Sequence, residues 1–360
     1  MFNFSELKQI HLEITNNCQA SCPMCSRNHH GGIENPLIKI TNWTLDQYKQ
    51  IISPAVLNQI ESIFFCGNFG DPLLNNDLLE MIEYTANTNP SVAVRIHTNG
   101  SLRNVSWWKK LAEVMPKDNY VIFALDGLED THSIYRIGTD YNQILKNAKA
   151  YINAGGQAEW AFIRFQHNAH QVDAARDIAK EIGFNSFVVK DSSRFLVDKQ
   201  FPVLDKQGNV TNYLEPANES KIVFLVKSDI DNYRKIVDQS DIDCYALKNR
   251  EVYIDAKGQL FPCCWIASIP YNYIEPNETM AVKQEILKQY HSLINDLGGV
   301  DQVDTNKHSI EDIINSNEYQ TVWNKYWHGE TKLISCVRAC GVNKLSKPKD
   351  QFTDRDNFNE

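Results

Sequence analysis

Three cysteines near the start of the chain carry its strongest chemical signal. Cys18, Cys22 and Cys25 form a CxxxCxxC pattern directly after a strand-like run at residues 10–15. Four thiolates fully ligate a 4Fe-4S cluster or close a tetrahedral zinc site, whereas three leave one iron open to a small molecule. The pattern therefore predicts a cluster with one reactive iron. The alternatives are a zinc site, or buried thiols that pack as small apolar side chains.

Polar motifs follow the next three predicted strands. A glycine loop comes after the second strand, an amide turn ends the third, and an acidic turn followed by an arginine comes after the fourth. Glycines permit close backbone approach to a ligand, and an aspartate can pair with a cationic amine. The residues are Gly67, Gly70, Asp71 and Pro72 after the second strand, Thr98 and Asn99 after the third, and Asp126 and Arg136 after the fourth.

Each of these motifs alone is typical of an ordinary turn or a surface ion pair. Their shared position at strand ends makes them informative. Asp71 is suited to an amine, Thr98 and Asn99 to a carboxylate or ribose, and Arg136 to a carboxylate. Together with an open cluster, these groups describe a site for an amino acid joined to a nucleoside. S-adenosylmethionine fits that description.

The elements that must position these residues are short apolar runs that alternate with helical patterns. This rhythm is typical of βαβ units and a parallel sheet, so the fold class is α/β. Six strands with crossovers predict a partial (β/α)6 TIM-like barrel, whose chemistry lies at the carboxyl ends of the strands. The predicted strands, which recur about every 30 residues, are residues 10–15, 62–65, 92–97, 120–125, 158–165 and 186–190.

The rhythm stops near residue 195, which predicts four segments. Residues 1–195 form the barrel core, and the polar residues 196–240 are a linker or irregular excursion with a turn at 205–209. Residues 241–342 form a smaller cysteine-rich C-terminal module. Residues 343–360, rich in Lys, Asp and Asn, are expected to be a loose polar tail.

Composition restricts the partners and the compartment. The 360 residues carry a net charge of -9, which disfavours nucleic acid as a partner. No run approaches the roughly 18 apolar residues of a membrane span, and no secretory signal is visible. We therefore expect a cytoplasmic protein without a membrane partner. In a reducing compartment, clustered cysteines bind metal or do chemistry more often than they form disulfides.

The strand-end residues resemble the radical S-adenosylmethionine superfamily over roughly residues 8–195. The resemblance implies that Cys18, Cys22 and Cys25 hold a 4Fe-4S cluster and that Met24 packs near the adenine. Residues 67–72 resemble the family's GGEP-type segment, which binds the amino group of the cofactor. They depart from it because Asn68 and Phe69 are interposed and an aspartate replaces the glutamate. Arg136 would then meet the cofactor carboxylate.

The second cysteine group resembles the SPASM or twitch extension of that superfamily. Cys244 is followed by thirteen residues, a glycine, four residues and Cys263, and Cys336 and Cys340 follow later. With Cys264 these are five cysteines, enough for one fully ligated auxiliary cluster and too few for two. The implied ligands are Cys244, Cys263, Cys336 and Cys340, with Cys264 as an alternate ligand or buried thiol. Zinc bound by the same thiolates remains the alternative.

The resemblance implies an enzyme. It would reductively cleave S-adenosylmethionine to a 5'-deoxyadenosyl radical that abstracts hydrogen from a peptide or protein side chain, or from a small alcohol or sugar. The auxiliary iron-sulfur cluster would assist, and a flavodoxin or ferredoxin would supply electrons. The competing hypothesis is a non-catalytic electron-transfer protein that binds iron-sulfur or zinc. No motif specifies the substrate.

Overall fold

The computed structural model describes residues 1–116, 118–192, 194–195, 200–218, 237–271, 281–328, 331–342 and 354–358. Its strands are β1 Gln9–Leu12, β2 Ser62–Phe65, β3 Ala93–Thr98, β4 Asn119–Ala124, β5 Ala158–Arg164, β6 Ser186–Asp191, β7 Phe201–Leu204, β8 Val210–Leu214, β9 Glu251–Ile254, β10 Leu260–Phe261 and β11 Asp354–Asn357. Its helices are α1 Leu45–Ile51, α2 Pro54–Gln59, α3 Leu78–Thr88, α4 Val105–Val114, α5 His132–Tyr135, α6 Tyr141–Asn153, α7 Val172–Ile182, α8 Tyr245–Asn249, α9 Cys264–Ala267, α10 Ala281–Asp296, α11 Ile310–Asn315, α12 Asn317–Trp327 and α13 Ile334–Cys340.

A nine-stranded sheet in the order β10-β9-β1-β2-β3-β4-β5-β6-β11 organises the described chain. Strands β9 and β1 to β6 run parallel, and the antiparallel strands β10 and β11 form its two edges. All six predicted core strands are present, which confirms the α/β prediction and the parallel sheet. The sheet remains open in the part of the chain that is described, as a partial barrel requires.

Helices cover the outer face of the sheet because their apolar residues recur at helical spacing. In α6, Ile144, Ala148 and Tyr151 are fully buried and follow the i, i+4, i+7 pattern of one helix face. Trp108 on the neighbouring helix α4 packs on Phe123 of β4 with ring centroids 5.0 Å apart. This outer core fixes the strands, so the loops at their carboxyl ends are held in place.

The C-terminal cysteine-rich segment contributes directly to the sheet. Strand β9 pairs in parallel with β1, with Leu12 opposite Ile254. The first strand of the barrel is therefore an interior strand, flanked on one side by the C-terminal segment. None of the helices in the described residues is long and apolar enough to span a membrane.

Two segments differ from the sequence prediction. Within residues 196–240, the described part contains the β7–β8 hairpin, whose loop is the predicted turn: Asp205 accepts hydrogen bonds from Gln207 N and Asn209 N. The tail expected to be loose contributes β11, which pairs with β6. Arg176 on α7 fixes that strand through an ion pair with Asp356 (2.6 Å). Residues 219–236 and 343–353 lie outside the described residues.

Candidate functional site

The three N-terminal cysteines lie on a loop that follows β1 at the carboxyl edge of the sheet. Cys22 O accepts a hydrogen bond from Cys25 N (2.9 Å), which closes a tight turn between these two cysteines. A small apolar cluster separate from the main core surrounds the loop, and Cys22, Met24, Tyr135 and Phe165 belong to it. The loop is thus packed as a unit, although it carries no regular secondary structure.

Each thiol of this loop faces a different strand-end motif. Cys18 Sγ lies 3.8 Å from Asn99 Nδ2 after β3, and Cys25 Sγ lies 3.9 Å from Asn68 O after β2. Cys22 Sγ lies 3.9 Å from a guanidinium nitrogen of Arg136, which follows β4. The structure therefore brings the predicted motifs together around the three thiols.

The donor set fits a cluster of thiolate-bound iron. Burial raises the pKa of Cys22 to about 11, and the nearby Arg136 opposes this effect. Burial also raises the pKa of Cys18. Such thiols become thiolates when a metal compensates their charge, and the N–H groups of Asn99 and Arg136 are placed to stabilise charged sulfur.

The glycine loop after β2 is held by the carboxyl group of Glu13, the residue that directly follows β1. Glu13 Oε1 accepts hydrogen bonds from Phe69 N (2.8 Å) and Gly70 N (3.0 Å). Its other oxygen accepts from the hydroxyl of Tyr253 on β9. A Cβ on Gly70 would lie 1.8 Å from Thr15 O, so this glycine is required by the approach of two protein segments.

Asp71 organises the loops rather than presenting a free carboxylate. It is 4% exposed and accepts hydrogen bonds from Thr98 Oγ1, Asn99 N and Leu73 N. Pro72 begins the adjoining 3-10 helix Pro72–Leu74. The predicted pairing of Asp71 with an amine is thus replaced by protein donors, and Asp71 ties the loop after β2 to the end of β3.

Arg136 is oriented by a fully buried carboxylate. Arg136 Nε lies 2.5 Å from Asp126 Oδ2, and Asp126 Oδ1 accepts a hydrogen bond from Ile163 N (2.5 Å). Burial raises the pKa of Asp126, and the charge of Arg136 partly offsets this. The ion pair fixes one edge of the guanidinium, and another N–H points toward Cys22.

Met24 lies where the cysteine loop meets the end of β6. It is 4% exposed, its sulfur accepts a hydrogen bond from Ser192 Oγ (3.2 Å), and its carbonyl oxygen accepts one from Arg194. Ser192 and Arg194 were not predicted as site residues, because nothing in their sequence context distinguishes them from ordinary loop residues.

The four C-terminal cysteines predicted as ligands line one cleft. Burial raises the pKa values of Cys263 and Cys336, and neighbouring thiols add to the effect. Cys264 does not line this cleft. Its half-buried thiol lies close enough to Cys66 and Glu13 to interact electrostatically with them, which places it on the barrel side of α9.

Buried donors around this cleft support the fit of a metal group. Tyr319 Oη and the indole nitrogen of Trp323 are buried without a hydrogen-bond acceptor from the protein, and the buried indole N–H of Trp327 faces the Cys336 thiol. Trp327 lines the cleft itself. No three His, Cys, Asp or Glu side chains in the described ranges are arranged around a single metal ion. A 4Fe-4S cluster needs a wider spacing, because each thiolate binds a different iron.

The inner wall of the partial barrel carries polar side chains close to the cysteine loop. His11 donates to Cys66 O (2.8 Å), and Cys66 Sγ lies 3.8 Å from His97 Nδ1. Lys190 on β6 is near enough to Cys66 and Glu159 to interact with both. Burial raises the pKa of the Cys66 thiol to about 12. Such a wall could bind a polar substrate.

Comparison with known proteins decides the family. Residues 12–187, the segment that carries the three cysteines and the whole of strands β2 to β5, match the family model described as the Radical SAM superfamily. The chain belongs to the Radical SAM superfamily. The predicted family is therefore confirmed. The SPASM or twitch assignment of the C-terminal segment stays a prediction.

Solved structures share the radical SAM fold with this chain. The structure of anSMEcpe with bound AdoMet, which is S-adenosylmethionine, aligns over 87% of this chain and 79% of its own, with 13% identity and a TM-score of 0.51. Streptococcus suis SuiB bound to precursor peptide SuiA aligns over 76% of this chain and 63% of its own, with 15% identity and a TM-score of 0.50. These identities support a common fold only.

One curated relative shares sequence with part of this chain. A tungsten-containing aldehyde ferredoxin oxidoreductase cofactor-modifying protein from Pyrococcus furiosus is 26% identical over 133 residues. The match covers 37% of this chain and 34% of the relative. Because the chain spans only about a third of that relative, the activity of the whole relative is not carried over.

Proposed function

We propose that this radical SAM protein reductively cleaves S-adenosylmethionine and uses the resulting 5'-deoxyadenosyl radical to abstract hydrogen from a substrate in the barrel interior. A bound 4Fe-4S cluster would supply the electron for cleavage. The observation that carries the proposal is that each of Cys18, Cys22 and Cys25 faces a different strand-end motif. An electron-transfer protein has no need for such convergence of cofactor-binding segments.

The residues around the cluster would divide the work of holding the cofactor. The backbone of the loop from Gly67 to Gly70 would bind the amino group, and Arg136, oriented by Asp126, would bind the carboxylate. Thr98 and Asn99 would close the site at the end of β3. Met24 would pack against the adenine. Asp71 and Glu13 would hold these loops in place without touching the cofactor.

We also propose an auxiliary 4Fe-4S cluster bound by the cysteines of the C-terminal cleft. The shared cleft of Cys244, Cys263, Cys336 and Cys340 supports this assignment. The buried hydroxyl of Tyr319 and the indole N–H groups beside it could donate hydrogen bonds to the sulfide or thiolate sulfur of such a cluster. Zinc at the same thiolates is the outcome that would contradict it.

The substrate class remains broad. A peptide or protein side chain, or a small alcohol or sugar, would meet His11, Cys66, His97 and Lys190 on the inner wall. A flavodoxin or ferredoxin would provide electrons. We also propose a cytoplasmic location, because clustered cysteines in a reducing compartment bind metal more often than they form disulfides.

Anaerobic reconstitution tests the cleavage reaction. The purified chain would be loaded with iron and sulfide, reduced with dithionite in the presence of S-adenosylmethionine, and analysed chromatographically for 5'-deoxyadenosine. Cys18→Ala should abolish product, whereas Ser21→Ala, a change in the same loop that leaves all three thiols, should retain it. Deoxyadenosine no higher in the wild type than in Cys18→Ala would refute the proposal.

Metal analysis tests the auxiliary cluster separately. Two 4Fe-4S clusters predict about eight irons per chain, and Cys336→Ala/Cys340→Ala should lower this to about four. About four irons in the wild type, together with one zinc, would support the zinc alternative. This result would leave the cleavage proposal intact.

A further inference from the structure

The glycine loop after β2 contacts both cysteine sites through one residue. Asn68 O lies 3.9 Å from Cys25 Sγ. The side-chain amide of the same residue donates to Cys264 O (2.9 Å) and to Tyr253 Oη (3.2 Å). Cys264 follows Cys263 directly in the chain, so one residue connects a proposed ligand of the radical cluster to the backbone beside a proposed auxiliary ligand.

The neighbouring Phe69 makes a second attachment to the C-terminal segment. Its ring packs against Tyr271 with centroids 5.2 Å apart. The carbonyl oxygen of Tyr271 accepts from Asn35 Nδ2, which also donates to Ser26 O next to Cys25. The two interposed residues that interrupt the GGEP-type pattern are therefore the ones that reach the C-terminal segment.

We propose that Asn68 is a positioning residue that couples the auxiliary site to the affinity for S-adenosylmethionine. The inference rests on the proposed function. A cluster bound through Cys263 fixes the Cys263–Cys264 backbone, and the Asn68 amide transmits this order to the glycine loop. Without that cluster, or without the amide, the loop that binds the cofactor amino group loses one of its anchors, and the bonds to Glu13 and the contact of Phe69 with Tyr271 remain. Two sites linked in this way share a coupling free energy.

A double-mutant cycle measures the coupling. Affinity for S-adenosylmethionine would be determined anaerobically, by equilibrium dialysis and by the change in the electron paramagnetic resonance spectrum of the reduced cluster at Cys18, Cys22 and Cys25. The four forms are the wild type, Asn68→Ala, Cys336→Ala/Cys340→Ala and their combination, each with its iron content measured. The Cys336 and Cys340 changes lie on α13, and Cys244→Ala provides a second route to the same loss if that form does not fold.

Loss of the auxiliary cluster should raise Kd roughly 5- to 150-fold, the usual range for coupled sites, and Asn68→Ala should do the same. The combined form should bind S-adenosylmethionine no more weakly than the weaker-binding of the two parent variants, because both changes break the same connection. Asn68→Asp, which keeps the size but cannot donate to Cys264 O, should behave as Asn68→Ala. Asn142→Ala, a change of an exposed asparagine on α6 that bonds to Glu129, should leave Kd unchanged.

If the losses of binding free energy in the two parent variants add up in the combined form, the coupling is refuted. A Kd that is unaffected by removing the auxiliary cluster refutes it too. Either result leaves cofactor cleavage as proposed. A wild-type chain that holds the radical-site cluster but does not bind S-adenosylmethionine would instead refute the proposed function, and the coupling with it.

Discussion

Removing the Asp71 carboxylate should destabilise the chain in the absence of any cofactor. Its side chain accepts hydrogen bonds from Asn99 N (2.7 Å), Leu73 N (3.0 Å) and Thr98 Oγ1 (2.8 Å), and the residue is 4% exposed. In Asp71→Ala these donors would remain buried without an acceptor, because the alanine methyl group cannot replace a carboxylate oxygen.

The size of the effect follows from the two backbone donors. A buried N–H group left without a partner costs about 1–3 kcal/mol, so the amides of Asn99 and Leu73 together suggest a loss of about 2–6 kcal/mol. Burial raises the pKa of Asp71, which means that desolvating this carboxyl already costs stability that the alanine variant would regain. We therefore expect a net loss in the lower half of that range, roughly 2–4 kcal/mol.

Urea unfolding of the metal-free chain, followed by circular dichroism, measures this loss. Asp205→Ala is a matched control because Asp205 also accepts from two backbone N–H groups, but in a hairpin loop at the surface where water can replace it. Asp71→Ala should shift the midpoint far more than the control. Equal midpoints for Asp71→Ala and the wild type would show that Asp71 is not a structural hub, and its predicted role as an amine partner would return.

Three further predictions concern neighbouring residues. Burial raises the pKa of Glu13 from 4.5 to about 7, so between these pH values the folded chain retains a proton that the unfolded chain releases. The contribution of protonated Glu13 to the free energy of unfolding is complete below pH 4.5 and is lost as pH rises through about 7. Glu13→Gln should flatten that part of the pH dependence of the urea midpoint, and an unchanged slope would contradict the assignment. Arg136→Met leaves Asp126 buried without its counter-charge and should cost about 3–5 kcal/mol in urea unfolding, whereas Arg136→Met/Asp126→Leu should recover much of it; no recovery would contradict the ion-pair argument. Gly70→Ala places a methyl group 1.8 Å from Thr15 O and should prevent retention of iron after desalting, while normal iron content would show that the two segments can separate.

The strands were predictable because each is a short apolar run in a regular βαβ rhythm. The bounds of the six core strands differ from the predicted ones by a few residues at most. The prediction succeeds because strands buried in a parallel sheet require short apolar runs. Strand β11 could not be predicted in the same way. Its sequence, Asp-Arg-Asp-Asn, has no apolar alternation, and its pairing depends on the open edge of β6 and on Arg176.

The site was predictable where its chemistry requires particular residue types at fixed spacing. The three N-terminal thiols and the motifs of β2, β3 and β4 are local in sequence, and the structure brings them together. The residues that hold these motifs in place were not predicted, because they contact residues that are distant in the sequence. Glu13 meets Tyr253 across 240 positions, and no local pattern marks either residue as part of the site.

The same long-range contacts bear on how the chain divides into domains. A boundary near residue 241 separates the two cysteine groups in sequence, yet β9 lies beside β1 in the sheet. Tyr253 on β9 bonds to Glu13, and Glu13 holds Phe69 and Gly70 of the glycine loop. Because the wall next to the proposed cofactor site is built partly from the C-terminal segment, the two cysteine sites share one framework. The interposed Asn68 then extends into that framework through its hydrogen bonds to Tyr253 and Cys264.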